Sequence, residues 1–168
     1  VTMSRLDGGV ELTLVAVNIN TIVKQFEQAF KDVYPNRADD FKMILRKSIP
    51  PVFGNRNYIN QATRNLIDNA VRYSQPGSPI HLRTYLDDHH VIIEIEDRGT
   101  GISEEELPKI FQRFYRSDVA HSTRGFGLGL PIAQSIVQRH GGEIQVESEV
   151  DRGSIFRLLF PMIRVMTP

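Results

Sequence analysis

The stretch 57–73, NYINQATRNLIDNAVRY, constrains this chain more than any other. Ile59, Ala62, Leu66, Ala70 and Tyr73 recur at steps of three and four, which predicts a helix with one apolar stripe. Asn65 and Asn69 are four apart and so lie one turn above each other on a neighbouring face. Asparagine is a poor helix former because its amide competes for backbone hydrogen bonds, so two of them stacked in mid-helix need a reason. A solvated polar face is one reason. A pair of neutral oxygen ligands and hydrogen-bonders aimed at a metal or at phosphates is another, and this stretch alone does not choose between them.

The rest of the chain reads as a mixed order of strands and helices. A strand is expected over 10–17, with Val10, Leu12, Leu14 and Ala16 alternating. Asn20 is the expected cap of a helix running to about Tyr34, whose core stripe is Ile22, Val23, Phe26, Phe30 and Val33. A short strand follows over 41–46. Two prolines make 48–55 an extended connector, and Asn55 can cap the asparagine-rich helix. In 80–86, Ile80, Leu82, Thr84 and Leu86 point inward, and 91–96 returns as the hairpin partner. His89 and His90 sit on the tip between them and read as solvated turn residues, because adjacent residues point apart and lack ligand partners.

Ser103-Glu-Glu-Glu106 is a capping-box signature and predicts a short helix to about Phe111. A second helix is expected over 130–140, with Pro131 in its first turn and Ile132, Ile136 and Val137 on its apolar face. His140 is expected as a structural cap at its C-terminus, where positive charge is favoured. A final hairpin spans 143–149 and 154–160. Met3 to Gly9 reads as the end of a helix stopped by Gly8-Gly9. The whole favours an α+β two-layer sandwich: a mixed sheet covered on one face by three helices, with its other face partly solvated.

Composition narrows the function. The 168 residues are enough for one domain with a real core, and 40% hydrophobic and 24% charged residues are the values of a globular protein. A formal net charge of zero gives no basic patch for nucleic acid or an anionic membrane. There is no cysteine, which excludes disulfides and thiolate metal sites. No apolar run approaches the roughly 20 residues of a membrane span. The abrupt start at Val1-Thr2-Met3 leads us to expect a fragment.

Three further blocks carry chemistry. Asp97-Arg98-Gly99-Thr100-Gly101 ends a strand, and its glycines allow positive φ and close approach of a ligand. Phe111-Gln112-Arg113-Phe114 follows the short helix, then Tyr115 and Arg116. Gly125-Phe126-Gly127-Leu128-Gly129-Leu130 leads into the last helix, and N–H groups behind such a loop form a phosphate cradle. No Lys-Ser/Thr follows the glycines, so the loop is not a Walker A loop.

Taken in order, these blocks resemble the N, G1, F and G2 boxes of the ATP-binding domain of sensor histidine kinases. That domain belongs to a superfamily shared with gyrase, a heat-shock chaperone and the mismatch-repair ATPases. The resemblance runs from about the first ten residues to Pro161 and implies the Bergerat ATP-binding fold. It implies a domain over 10–161, preceded at 1–9 by the end of a dimerisation-domain helix or linker and followed by a tail at 162–168.

It also implies roles. Asp97 matches the residue that accepts a hydrogen bond from the adenine amino group, for which an ionised carboxylate is suited because it only accepts. Asn69 is the expected Mg²⁺ ligand, Arg72 reaches the phosphates and Tyr73 stacks on adenine. Gly99 and Gly101, Tyr115, and the run Gly125, Phe126, Gly127, Leu128, Gly129 and Leu130 contact the nucleotide. Arg116 stands where the family places a cation near the phosphates, and the lid over the nucleotide is expected at 117–124. Asn65 stands where the hydrolysing relatives carry a glutamate base. An amide cannot take that proton, which favours delivery of the phosphoryl group to an acceptor other than water.

None of His81, His89, His90, His121 and His140 has the acidic neighbour and Arg/Lys-Thr-Pro run of a phosphoacceptor. The resemblance therefore implies a cytoplasmic ATP- and Mg²⁺-dependent histidine kinase domain whose acceptor lies on a separate dimerisation domain. It would reach a response regulator receiver domain through that partner. No nucleic acid and no direct membrane contact are expected, and membrane anchoring of the parent protein is left open. A protein-serine kinase of the anti-sigma type and a non-catalytic ATP-binding interaction module are the alternatives.

Overall fold

The computed structural model describes residues 2–5, 11–115 and 129–163. In chain order the elements are β1 (Thr2–Arg5), β2 (Glu11–Val17), α1 (Ile19–Val23), α2 (Phe26–Val33), β3 (Phe41–Leu45), β4 (Val52–Gly54) and α3 (Arg56–Tyr73). Then come β5 (Ile80–Leu86), β6 (His90–Asp97), α4 (Gly129–Arg139), β7 (Glu143–Glu149) and β8 (Gly153–Pro161). Five strands form one sheet in the order β3-β5-β6-β8-β7, in which β3 and β5 are parallel and the other pairs antiparallel. A smaller sheet, β1-β2-β4, is antiparallel throughout. This is the expected α+β arrangement with a mixed sheet.

Strand parity positions the site. Successive side chains point to opposite faces, and directly paired residues share a face. Leu82, Ile95 and Phe156 are paired across β5, β6 and β8, as are Thr84, Ile93 and Leu158, and all are buried. Asp97 and Ser154 form the last pair of this same inner face. The sheet thus carries the Asp97 carboxylate beside the Ser154 hydroxyl at the end of a largely apolar surface, in which Thr84 is also buried. The opposite face carries a charged row: Arg83, Glu94 and Arg157 are paired across the same strands.

The helices cover the inner face. α3 buries Ile59, Ala62, Leu66 and Ala70 at the predicted spacing, and Asn55 caps it by accepting from the Asn57 and Tyr58 N–H groups. α4 buries Ala133, Ile136 and Val137.

Several local expectations are corrected. Asn18, not Asn20, caps the first helix, accepting from Thr21 N–H at 3.3 Å. The chain already turns at the end of β2, and Asn20 is buried instead, donating to the Arg46 carbonyl and accepting from the Thr84 hydroxyl, both at 2.7 Å. The helix expected to reach Tyr34 breaks at Lys24-Gln25 into α1 and α2. Val33 is 65% exposed, while Tyr34 turns its ring onto Phe30. Thr2–Arg5 forms a strand on β2 where a helix end was expected. The connector 48–55 contains β4, paired with the end of β2.

Ser103 does accept from the Glu106 N–H, at 3.2 Å, but only a 3₁₀ turn at Leu107–Lys109 follows. Pro108 has no N–H to continue an α-helical ladder. His140 caps α4 as expected, with Nδ1 on the Ile136 carbonyl at 2.7 Å, but it is not charged. Its Nε2 accepts from the Asn55 N–H at 3.1 Å, and burial holds its pKa below the usual imidazole value. No helix among the described residues is long and apolar enough to cross a membrane.

Candidate functional site

A cleft opens where α3, the end of β6, β8 and the start of α4 meet. Asn69 and Tyr73 enter it from the last two turns of α3, and Asp97 and Ser154 enter it from the sheet. Ile102, Ile110 and Leu130 give it apolar walls, joined by Gly101 and Tyr115. The Tyr115 hydroxyl donates to Glu106 at 3.0 Å.

Asp97 dominates the electrostatics. It is 3% exposed, and burial pushes its carboxyl up to about 6. The backbone N–H groups of Gly99 and Ser154 oppose that rise, Glu96 adds to it, and Arg37 draws it down from a distance. The Gly99 N–H meets Oδ1 at 2.8 Å. A carboxylate so placed is an acceptor in search of a donor that water supplies poorly.

The loop after Asp97 is clamped to its surroundings. Thr100 N–H donates to the Tyr73 carbonyl at 3.0 Å, and Asp151 N–H donates to the Thr100 carbonyl at 2.8 Å. Ile102 N–H donates to Ser148 Oγ at 2.7 Å. A β-carbon at Gly99 would overlap the Tyr73 carbonyl oxygen. One at Gly101, whose φ is +69°, would overlap the Glu149 carbonyl. Both glycines are needed for close approach, as expected, but what approaches is protein backbone.

The other expected residues are distributed as follows. Asn65 donates through Nδ2 to the Gly129 carbonyl at 3.2 Å and so ties α3 to the first residue of α4. Arg72 is exposed and lies outside the cleft wall, within electrostatic range of Tyr34. Phe111 packs against the core, whereas Phe114 is 70% exposed with φ of +65°. Arg116, Gly125, Phe126, Gly127 and Leu128, together with the expected lid at 117–124, lie outside the described residues. The structure thus brings together Asn69, Tyr73, Asp97, Gly101, Tyr115 and Leu130. It does not bring Arg72 to them.

Ile102, Ile110 and Ser154 are cleft residues that sequence reasoning missed. The Ser154 position follows from the pairing of β8 with β6, which are not consecutive in sequence, so no local pattern reveals it. Arg37 was missed for the same reason: apart from Asp40, its partners are more than thirty residues away. Among the described residues no group of three or more His, Cys, Asp or Glu could hold a metal ion. The one neutral amide in the cleft, Asn69, suits a cation that keeps most of its waters and takes few protein ligands.

Comparison with known proteins adds an independent line. Residues 54–164 match the family described as histidine kinase-, DNA gyrase B-, and HSP90-like ATPase. The signal transduction histidine-protein kinase ArlS of Staphylococcus haemolyticus is 38% identical over 146 residues, 86% of this chain and 32% of that protein. The histidine-protein kinase/phosphatase MprB of Mycolicibacterium smegmatis is 39% identical over 122 residues, 70% of this chain and 25% of that protein. The chain therefore spans a third or less of these relatives. Among solved structures, the catalytic domain of histidine kinase ThkA in nucleotide-free form superposes with a TM-score of 0.77 at 26% identity, over 90% of this chain and 97% of that one. A mycobacterial MprB structure gives 0.70 at 28% identity, over 89% and 97%.

Proposed function

We propose, from the premise that this chain belongs to the histidine kinase-, DNA gyrase B- and HSP90-like ATPase family as an ATP-binding catalytic domain of the sensor histidine kinase type, that it delivers the γ-phosphoryl group of ATP to a histidine on a separate dimerisation domain. The observation that carries the reading is the buried Asp97 carboxylate facing a cleft walled by Tyr73, Asn69 and apolar side chains.

Adenine enters that cleft with its amino group donating to Asp97 and its ring against Tyr73, Ile102 and Ile110. Guanine is rejected because its oxygen would face a carboxylate with no proton to share. Asn69 holds Mg²⁺, which supplies charge neutralisation at the phosphates when bound. Leu130 and the backbone at the start of α4 receive the phosphate end. Arg72 reaches the phosphates by turning from its exposed position. The transfer itself is a displacement: an imidazole nitrogen of the acceptor forms a bond to the γ-phosphorus as the bond to the β,γ-bridging oxygen breaks and ADP leaves. Asn65 holds no proton-accepting group beside the reacting centre, so water is not activated there.

Three of the described histidines have other tasks. His81 pairs with Glu96 on the outer sheet face, His90 pairs with Asp87 on a hairpin tip, and His140 is buried. The acceptor is then a dimerisation domain, with a response regulator receiver domain downstream of it. We divide the chain into a catalytic domain over 10–161 with an entry segment at 1–9 and a tail at 162–168.

The test uses γ-labelled ATP and Mg²⁺ with the chain alone and with a separately made dimerisation fragment of a relative such as ArlS or MprB. Acid-labile, base-stable label on the fragment, and none on the chain alone, is the expected result. Acid-stable label on a partner would replace histidine by serine as the acceptor.

A further inference from the structure

We propose that Arg37 is a positioning residue for the adenine half of the nucleotide site, acting through the last turn of α3 and the loop 98–101 docked on it. The proposal rests on the adenine reading above.

A helix leaves its final carbonyls without intrahelical partners. At the end of α3 two neighbours take them. One is the loop, whose Thr100 N–H binds the Tyr73 carbonyl. The other is Arg37. Its Nη1 donates to the carbonyls of Val71 at 3.0 Å and Ser74 at 3.2 Å. Its Nη2 donates to Ser74 Oγ at 3.1 Å and to the carbonyls of Gln75 at 2.9 Å and Ser78 at 3.1 Å. Its Nε donates to Asp40 Oδ2 at 2.8 Å, and the same oxygen accepts from the Gly77 N–H at 3.0 Å. The Ser74 hydroxyl in turn donates to the Ala70 carbonyl at 2.6 Å. With 6% of its surface exposed and acceptors on all three nitrogens, Arg37 is a plug at the C-terminal end of a helix, where a cation is also favoured by the peptide dipoles.

Tyr73 is bracketed by this plug. Val71 before it and Ser74 and Gln75 after it are held by Arg37, and its own carbonyl is held by the loop. Asn69 lies one turn earlier on the same helix and faces the same cleft. Gly99 docks without a β-carbon against the Tyr73 carbonyl, so a shift of that carbonyl displaces the loop that begins at Asp97. Tyr73, Asn69 and Asp97 therefore share one frame. Arg37 supports it from outside the cleft, and its charge favours the ionised form of Asp97. The start of α4 is joined to α3 a full two turns earlier, through Asn65, and does not depend on the plug. Lysine cannot replace the fork, since it presents three donors at a single point.

The experiment follows amide chemical shifts of the whole chain during titration with Mg-ATP and, up to millimolar concentration, with Mg-inorganic triphosphate. It compares wild type with Arg37→Lys, Ser74→Ala and Asp97→Asn. Arg37→Lys is expected to weaken ATP binding about tenfold or more while triphosphate affinity stays within about twofold. Ser74→Ala is expected to weaken ATP about threefold with the same selectivity, and it decides the matter if Arg37→Lys does not fold. Equal losses for both ligands would assign Arg37 a merely structural role and overturn the proposal. Unchanged ATP binding in both variants, beside a loss in Asp97→Asn, would overturn it alone. Wild-type ATP binding by Asp97→Asn would overturn the adenine reading and the proposal together.

Discussion

The two faces of the five-stranded sheet each bury a carboxylate and treat it in opposite ways. On the outer face Glu94 is 7% exposed and surrounded by donors: Arg83 at 3.1 Å, Arg157 at 2.9 Å and the Tyr85 hydroxyl at 2.6 Å. Burial alone would raise its pKa, but these partners hold it below the usual carboxylate range. Arg157 also reaches Glu147 at 2.6 Å, and Arg83 reaches Glu96 at 3.5 Å, so the face is laced from β5 to β7. On the inner face Asp97 is met by backbone N–H groups in place of a contacting cation, and its carboxyl rises to about 6. A buried carboxylate that is paired serves the fold. One left short of partners costs the fold something, and its position at the floor of a cleft explains why it is kept.

The largest effect on stability is expected on the paired side. Glu94→Gln leaves Arg83 and Arg157, which are 29% and 20% exposed, without their shared anion. A loss of roughly 2 kcal/mol is expected, below the range for fully buried pairs because both guanidinium groups retain some solvent. Urea denaturation measures it, and ATP affinity should not change. The inner face should respond with the opposite sign. Asp97→Asn removes a buried charge, so the ligand-free protein should gain roughly 1–2 kcal/mol at neutral pH, the remainder of the relief being offset by a weaker bond to the Gly99 N–H.

The pH dependence sharpens the contrast. The folded pKa of Asp97 is raised, so its contribution to stability is full below the unfolded value of 3.8 and is lost as pH rises through about 6. The folded pKa of Glu94 is lowered, so its contribution is present above the unfolded value of 4.5 and is lost as pH falls. Thermal melts between about pH 3 and 8 should show Asp97→Asn gaining most at the neutral end. Glu94→Gln should lose most there and least in acid. The smallest effect concerns His140, a buried neutral group with a lowered pKa, whose contribution is lost as pH falls below the unfolded value of 6.5. His140→Gln is expected to cost about 1 kcal/mol at pH 8 and less as the solution is acidified, read from the same melts.

How much of this was legible in the sequence depends on the range of the interaction that decides it. The stripe of α3, the alternation of β5 and the placing of Asp97 at a strand end are set by spacing within one element, and the structure shows them where the periodicity places them. Local backbone chemistry misled at points where two signals compete. Asn18 and Asn20 are equally good caps, and only the length of β2 selects the first. The capping box at Ser103 was real, but Pro108 limited what it opened. His140 read as a structural cap and is one, but its second partner, the Asn55 N–H, is 85 residues away and lay beyond that reading. The pairing of Ser154 with Asp97, the outer-face ladder and the Arg37 plug arise from contacts between distant segments, which no window of sequence contains.

The most direct test of the account is a calorimetric titration of ATP and GTP, with Mg²⁺, into the wild-type chain and Asp97→Asn, with the fold of each confirmed by circular dichroism. The account predicts that wild type prefers ATP, and that Asp97→Asn loses roughly two orders of magnitude in ATP affinity and, with it, the preference. Equal ATP affinity in the two proteins would contradict it, because the inner-face carboxylate would then not be the group that meets adenine.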